Sequence, residues 1–77
     1  MKVQIKYCTS WGYQARAVGL AGTLKDKYGA DLEGVDIVPS SGGAFEVSLD
    51  GDLIYSKLKT GRFPDPKEVT GAIDKAL

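Results

Sequence analysis

Residues 3–13 read Val3-Gln4-Ile5-Lys6-Tyr7-Cys8-Thr9-Ser10-Trp11-Gly12-Tyr13. Their reading decides the fold. Val3, Ile5 and Tyr7 point one way, and Lys2, Gln4 and Lys6 the other. Period-two alternation with β-branched residues predicts a strand with one buried face. From Tyr13 the period changes. Tyr13, Ala17, Leu20, Leu24 and Tyr28 recur three or four apart, which is one stripe on a helix. Between strand and helix lies a short polar turn, and the chain's single cysteine, Cys8, stands at the strand's end. A thiol there faces a helix N-terminus, where free backbone N–H groups and the dipole favour the thiolate. Thr9, Ser10 and Gly12 are the supporting turn. The two hydroxyls suit a thiolate, although ordinary turn chemistry explains them as well.

Working outward, Lys25 and Lys27 suit the helix C-terminus, and Gly29 is a natural stop. Gly19 and Gly22 interrupt the helix at a cost of about 1 kcal/mol each relative to Ala, which predicts close packing on the sheet. Residues 34–38, Gly-Val-Asp-Ile-Val, read as a second strand. Strand, helix and strand in succession form a βαβ unit with parallel strands. The segment Pro39-Ser40-Ser41-Gly42-Gly43 is a loop by composition and is expected beside the Cys8 turn.

Asp50-Gly51 is a two-residue hairpin signal between segments 44–49 and 52–57. Pairing Leu49 with Asp52 sets Val47 against Ile54 and Phe45 against Ser56. Phe45, Val47 and Ile54 then face the core, and Glu46, Leu53 and Tyr55 the other side. Residues 58–64 read as an irregular connection. Asp65-Pro66-Lys67-Glu68 is a helix start, with Asp65 as N-cap, Pro66 at N1 and Glu68 closing a capping box. Val69, Ala72, Ile73, Ala76 and Leu77 are its expected buried stripe. The order is β-α-β-β-β-α.

Seventy-seven residues make one domain, 1–77. Ten basic and ten acidic side chains cancel, so no electrostatic footprint for nucleic acid exists. The lack of histidine removes the commonest general base and metal ligand, and with it a hydrolase built on an activated serine or cysteine. One cysteine forms neither an internal disulfide nor a cysteine-rich zinc site. Neither a metal nor a cofactor is expected. Ser40-Ser41-Gly42-Gly43 lacks the lysine and following helix of a phosphate loop. The opening residues do not read as a secretory leader, and no apolar run approaches the roughly 18–20 residues of a membrane span. The expectation is a protein of a reducing, cytoplasmic compartment, without a membrane role.

With Tyr7-Cys8-Thr9-Ser10-Trp11-Gly12-Tyr13 at its first turn, the chain resembles the selenoprotein W-like family, also called the Rdx family. The stretches Gly43-Ala44-Phe45-Glu46-Val47-Ser48-Leu49-Asp50-Gly51 and Thr60-Gly61-Arg62-Phe63-Pro64 resemble that family's hairpin and its approach to the last helix. The likeness spans essentially the whole chain. It implies a thioredoxin-like α/β fold: a four-stranded mixed sheet in the order second, first, third, fourth, with the third strand antiparallel to the first. Both helices cover one face. It also implies a Cys-x-x-Cys or Cys-x-x-selenocysteine redox pair, whose first position is Cys8.

Trp11 departs from that pattern, standing where the family carries cysteine or selenocysteine. In thiol–disulfide exchange one sulfur attacks and a second resolves the mixed disulfide. With Trp11 the second step cannot occur within the chain. Selenocysteine is encoded by UGA, and read-through of UGA commonly inserts tryptophan. One reading is therefore that Trp11 marks a selenocysteine position, the other that it is a natural or engineered tryptophan; a UGG codon there ends the first.

Two functions fit. The first is a thiol or selenol redox protein whose Cys8 forms mixed disulfides with glutathione or protein thiols. Tyr13, Arg62 and Phe63 would contact the partner, and Arg62 and Lys59 would attract its carboxylates. The second is a binding module without catalysis, using Trp11, Tyr13 and the uncovered sheet face at Leu53 and Tyr55. For Cys8 the plainer alternative is a small buried hydrophobe; for Lys59 and Arg62 it is a solvated loop. A cis bond at Pro64, near the thiol as in related folds, is a further possibility that sequence leaves open.

Overall fold

The structure is a computed structural model that describes residues 1–10 and 12–77. Trp11 lies outside the described residues. Strand β1 (Lys2–Cys8) is followed by helix α1 (Tyr13–Tyr28), a 3-10 turn (Gly29–Asp31) and strand β2 (Gly34–Ser40). Strands β3 (Phe45–Leu49) and β4 (Asp52–Ser56) form the hairpin. A short helix α2 (Lys57–Thr60) and helix α3 (Pro66–Ala76) complete the chain. The sheet order is β2-β1-β3-β4, with β1 parallel to β2 and antiparallel to β3. This is the α/β, thioredoxin-like arrangement that the sequence implies. Among the described residues no helix is long and apolar enough to cross a membrane.

The buried face follows the alternation of β1. Val3, Ile5 and Tyr7 lie against Phe45, Val47 and Leu49 of β3, and α1 covers them with Ala17, Leu20, Ala21 and Leu24. Val69 and Ile73 of α3 join the same core, so both long helices serve one face. Tyr28 ties the two helices together: its hydroxyl lies 2.9 Å from the Thr70 carbonyl and 2.7 Å from Asp74 Oδ1. Burial and the Asp74 carboxylate push the Tyr28 phenol up to about 12.

Several expectations need correction. The hairpin starts in the expected register, Leu49 against Asp52, and Asp50 and Gly51 both take positive φ as a tight hairpin turn requires. Ser48 then pairs with Leu53, but Val47 pairs with Tyr55. Ile54 is the extra residue of a β-bulge, and past it the alternation of β4 reverses. Tyr55 therefore turns into the core at 6% exposure, while Leu53 stays outside at 48%. The connection after β4 is not wholly irregular, because residues 57–60 make one helical turn capped by the Ser56 hydroxyl.

Gly19 and Gly22 are exposed, and a Cβ at either position meets nothing within 4 Å. Close helix–sheet packing is not their reason. At the end of α3, Ala76 and Leu77 are exposed, so the buried stripe ends at Ile73. Among the described residues every peptide bond is trans, including that before Pro64.

Candidate functional site around Cys8

Cys8 ends the central strand where its two neighbours diverge. Its N–H donates to the Ala44 carbonyl at 2.7 Å, and the Thr9 N–H donates to Ser40 at 3.3 Å. The turn after β1 is thus held between the end of β2 and the start of β3, and residues 41–43 flank it; Pro39 and Ser40, expected in that loop, belong to β2 and pair with Tyr7 and Cys8. Gly42 and Gly43 both have positive φ, at 70° and 76°. Glycine adopts that conformation at little steric cost. Gly12 is the αL N-cap of α1 and offers no side-chain cap.

Two backbone N–H groups, of Ser10 and Gly43, are the main reason that the Cys8 thiol lies below its ordinary pKa. Burial opposes them. The Ser10 hydroxyl and the charge of Lys57 add smaller effects in the lowering direction. Hydrogen bonds to the charged form favour that form, and a nearby cation does the same. Of the two sources, the turn was legible in the sequence. The Gly43 N–H arrives from the opposite loop.

Cys8 is more covered than the redox reading expects, at 6% exposure. It counts among the buried apolar residues and stands at the end of β1, where the polar turn begins.

The remaining predicted residues separate into two sets. Tyr13 and Phe63 are half-buried and stack edge-on at 4.8 Å, and Phe63 meets Phe45 at 5.3 Å. Tyr13 Oη would lie 3.7 Å from a Cβ at Gly43, which places this aromatic ridge beside the thiol loop. Thr9 and Ser10 are exposed on the turn. Arg62, by contrast, is not a free cation. It pairs bidentately with Glu68, and the pairing raises the guanidinium pKa further and pulls the carboxyl down to about 2. Lys59 is exposed on α2. On the wet sheet face only Leu53 remains of the two residues proposed there, because Tyr55 is buried.

Lys57 and Arg16 were missed. Lys57 Nζ stands 5.4 Å from the Tyr13 and Phe63 ring centroids, and Arg16 Cζ lies 4.1 Å from that of Phe63. Arg16 also lines a groove of about 240 Å³ with Leu20, Phe45, Phe63 and Pro64. For Arg16 a signal existed, since it sits three residues after Tyr13 on the same helix. Lys57 depends on the bulge and had none.

The protein-family model of the Rdx family matches residues 2–75. The chain is 35% identical over 78 residues to migration and invasion enhancer 1 of Bos taurus, covering 99% of this chain and 64% of that protein. It therefore spans somewhat less than two-thirds of that relative's length. It is 30% identical over 82 residues to selenoprotein W of Danio rerio, covering 100% of this chain and 95% of that one. The fold is similar to a solved selenoprotein W-related protein from Vibrio cholerae, with a TM-score of 0.92 at 25% identity, covering 97% and 94% of the two chains.

Proposed function

We propose that this chain, which belongs to the Rdx family, is a thiol redox protein in which Cys8 is the attacking group. Family membership supports a redox-related role. One observation carries the finer reading: Cys8 is held between its own turn and the 41–44 loop, where the Ser10 and Gly43 N–H groups favour its anion. A thiolate attacks one sulfur of a disulfide. The Cys8–S bond forms as the substrate's S–S bond breaks, and the departing thiolate takes a proton from water. The attacked partners are glutathione or protein thiols in their disulfide form, with the reduced thiols released, and a reducing compartment such as the cytoplasm suits them.

In a protein carrying cysteine or selenocysteine at position 11, that residue and Cys8 together supply the attacking and the resolving group. In this chain, with Trp11, resolution falls to an external thiol. The codon at position 11 decides whether Trp11 stands for selenocysteine.

The 6% exposure of Cys8 favours a second reading, a binding module in which the thiol is structural. That module would present Tyr13 and Phe63 with their attached cations. Alkylation of the folded protein separates the two: the redox reading requires reaction in the native state, and the binding module allows it only on unfolding.

A further inference from the structure

The chain carries as many acids as bases, yet one side of the thiol site is cationic. Arg16 and Lys57 share the Phe63 ring, and Lys57 also reaches Tyr13. The ion pairs among the described residues engage Lys2, Lys27 and Arg62, and neither Arg16 nor Lys57. Glu46 lies next to Lys57 but makes no ion pair with its ammonium group among the described residues. Its oxygens accept from the Ser56 hydroxyl and from the Lys57 backbone N–H. Cations held on aromatic faces keep a fixed place and remain open to an anion. Beside Arg16 the groove is apolar, walled by Leu20, Phe45, Phe63 and Pro64.

We propose that this cation-topped aromatic ridge makes Cys8 selective for acidic disulfides: substrates with carboxylates a few bonds from the sulfur, set on Lys57 and Arg16, and with an apolar flank entering the groove. The proposal rests on the redox reading above and names its substrate class. The exchange is one mixed-disulfide step, in which the acidic disulfide is the oxidant. One half becomes bonded to Cys8 and the other leaves as a thiolate. Fixed opposite charges steer such an encounter and discriminate against neutral or cationic partners.

The test uses the whole chain at low ionic strength and two disulfide reagents. One is 5,5′-dithiobis(2-nitrobenzoate), with a carboxylate on each ring; the other is uncharged 4,4′-dithiodipyridine. Each rate is divided by that of 2-mercaptoethanol thiolate with the same reagent. The normalised rate should be higher for the anionic reagent, and the advantage should vanish in high salt. Arg16→Gln and Lys57→Gln should each cut the anionic-to-neutral ratio about two- to fivefold. Lys25→Gln, the same charge change at the far end of α1, should leave the ratio alone.

Oxidised glutathione and a disulfide-linked peptide with glutamate and phenylalanine beside its cysteine distinguish the sources. A gain for the peptide alone assigns the site to protein disulfides. Equal ratios at low salt, or a ratio indifferent to Arg16→Gln, overturn the selectivity and leave the redox reading intact. Failure of both reagents on the folded chain overturns the redox reading, and the selectivity with it.

Discussion

At the scale of single residues, the chemistry concerns one sulfur and the groups around it. The two largest influences on Cys8 are main-chain N–H groups, so side-chain changes should move its pKa only modestly. Ser10→Ala removes the hydroxyl but keeps the N–H, and Lys57→Gln removes the charge that is the smallest of these influences. Each should raise the thiol pKa slightly, read as absorbance of the thiolate during titration. A shift to the free-thiol value from either change alone would mean that the backbone groups do not act as described. Position 11 offers a second prediction. Trp11→Cys should give, after mild oxidation, a protein with an internal disulfide and no titratable thiol; two free thiols would count against the redox pair implied by the family. Cys8 and its turn were legible in the sequence because a strand period gave way to a helix period there. Gly43 was legible only as a loop residue. That its N–H favours the thiolate depends on a loop with two successive positive-φ glycines, which composition does not order in space.

At the scale of elements, α3 is the clearest case of local sequence fixing local structure. Asp65, Pro66 and Glu68 form the complete capping box that their spacing predicts, with Asp65 accepting from the Lys67 N–H and Glu68 from the Asp65 N–H. Asp65→Ala should cost about 1 kcal/mol and lower the melting temperature by about 4–8 °C. Glu68 holds Arg62 as well, so α3 and the segment before it are tied by one carboxylate. Folding depresses the Glu68 pKa to about 2. Its stabilisation is therefore complete above the unfolded value of ~4.3 and fades as the pH falls toward 2. In acid titrations followed by circular dichroism, Glu68→Gln should flatten that limb of the stability curve and leave neutral pH behaviour nearly level with pH. High salt should shrink the effect, because the pair is exposed. Arg62 itself was readable as a loop cation. Its engagement with Glu68 was not, because that pairing requires the chain to fold back onto the helix start.

At the scale of the whole molecule, the order of strands and the shared helix face follow from the alternation of β1 and the βαβ succession. The hairpin departs from that simple reading. One extra residue in β4 turns Tyr55 inward, where its hydroxyl meets Thr60 Oγ1 at 2.8 Å and donates to the Arg62 carbonyl at 2.7 Å. Those bonds hold the chain from α2 toward Phe63, and hence the aromatic ridge beside the thiol. Sequence alternation cannot announce a bulge, since the residues on either side of Ile54 fit both registers. Tyr55→Phe should cost about 0.5–1.5 kcal/mol in urea unfolding, because the part-buried hydroxyl loses its bond to the Arg62 carbonyl. Leu53→Ser, on the open face, should change stability by less than about 0.5 kcal/mol. Equal costs would return the two residues to one face and undo the bulge. The central claim, that this fold presents a reactive thiolate, is tested most directly by the rate of Cys8 alkylation with iodoacetamide against pH in the native protein. The account predicts reaction without unfolding and a midpoint below the ~8.5 of free cysteine. A rate that matches global unfolding, or a midpoint at or above that value, would contradict it.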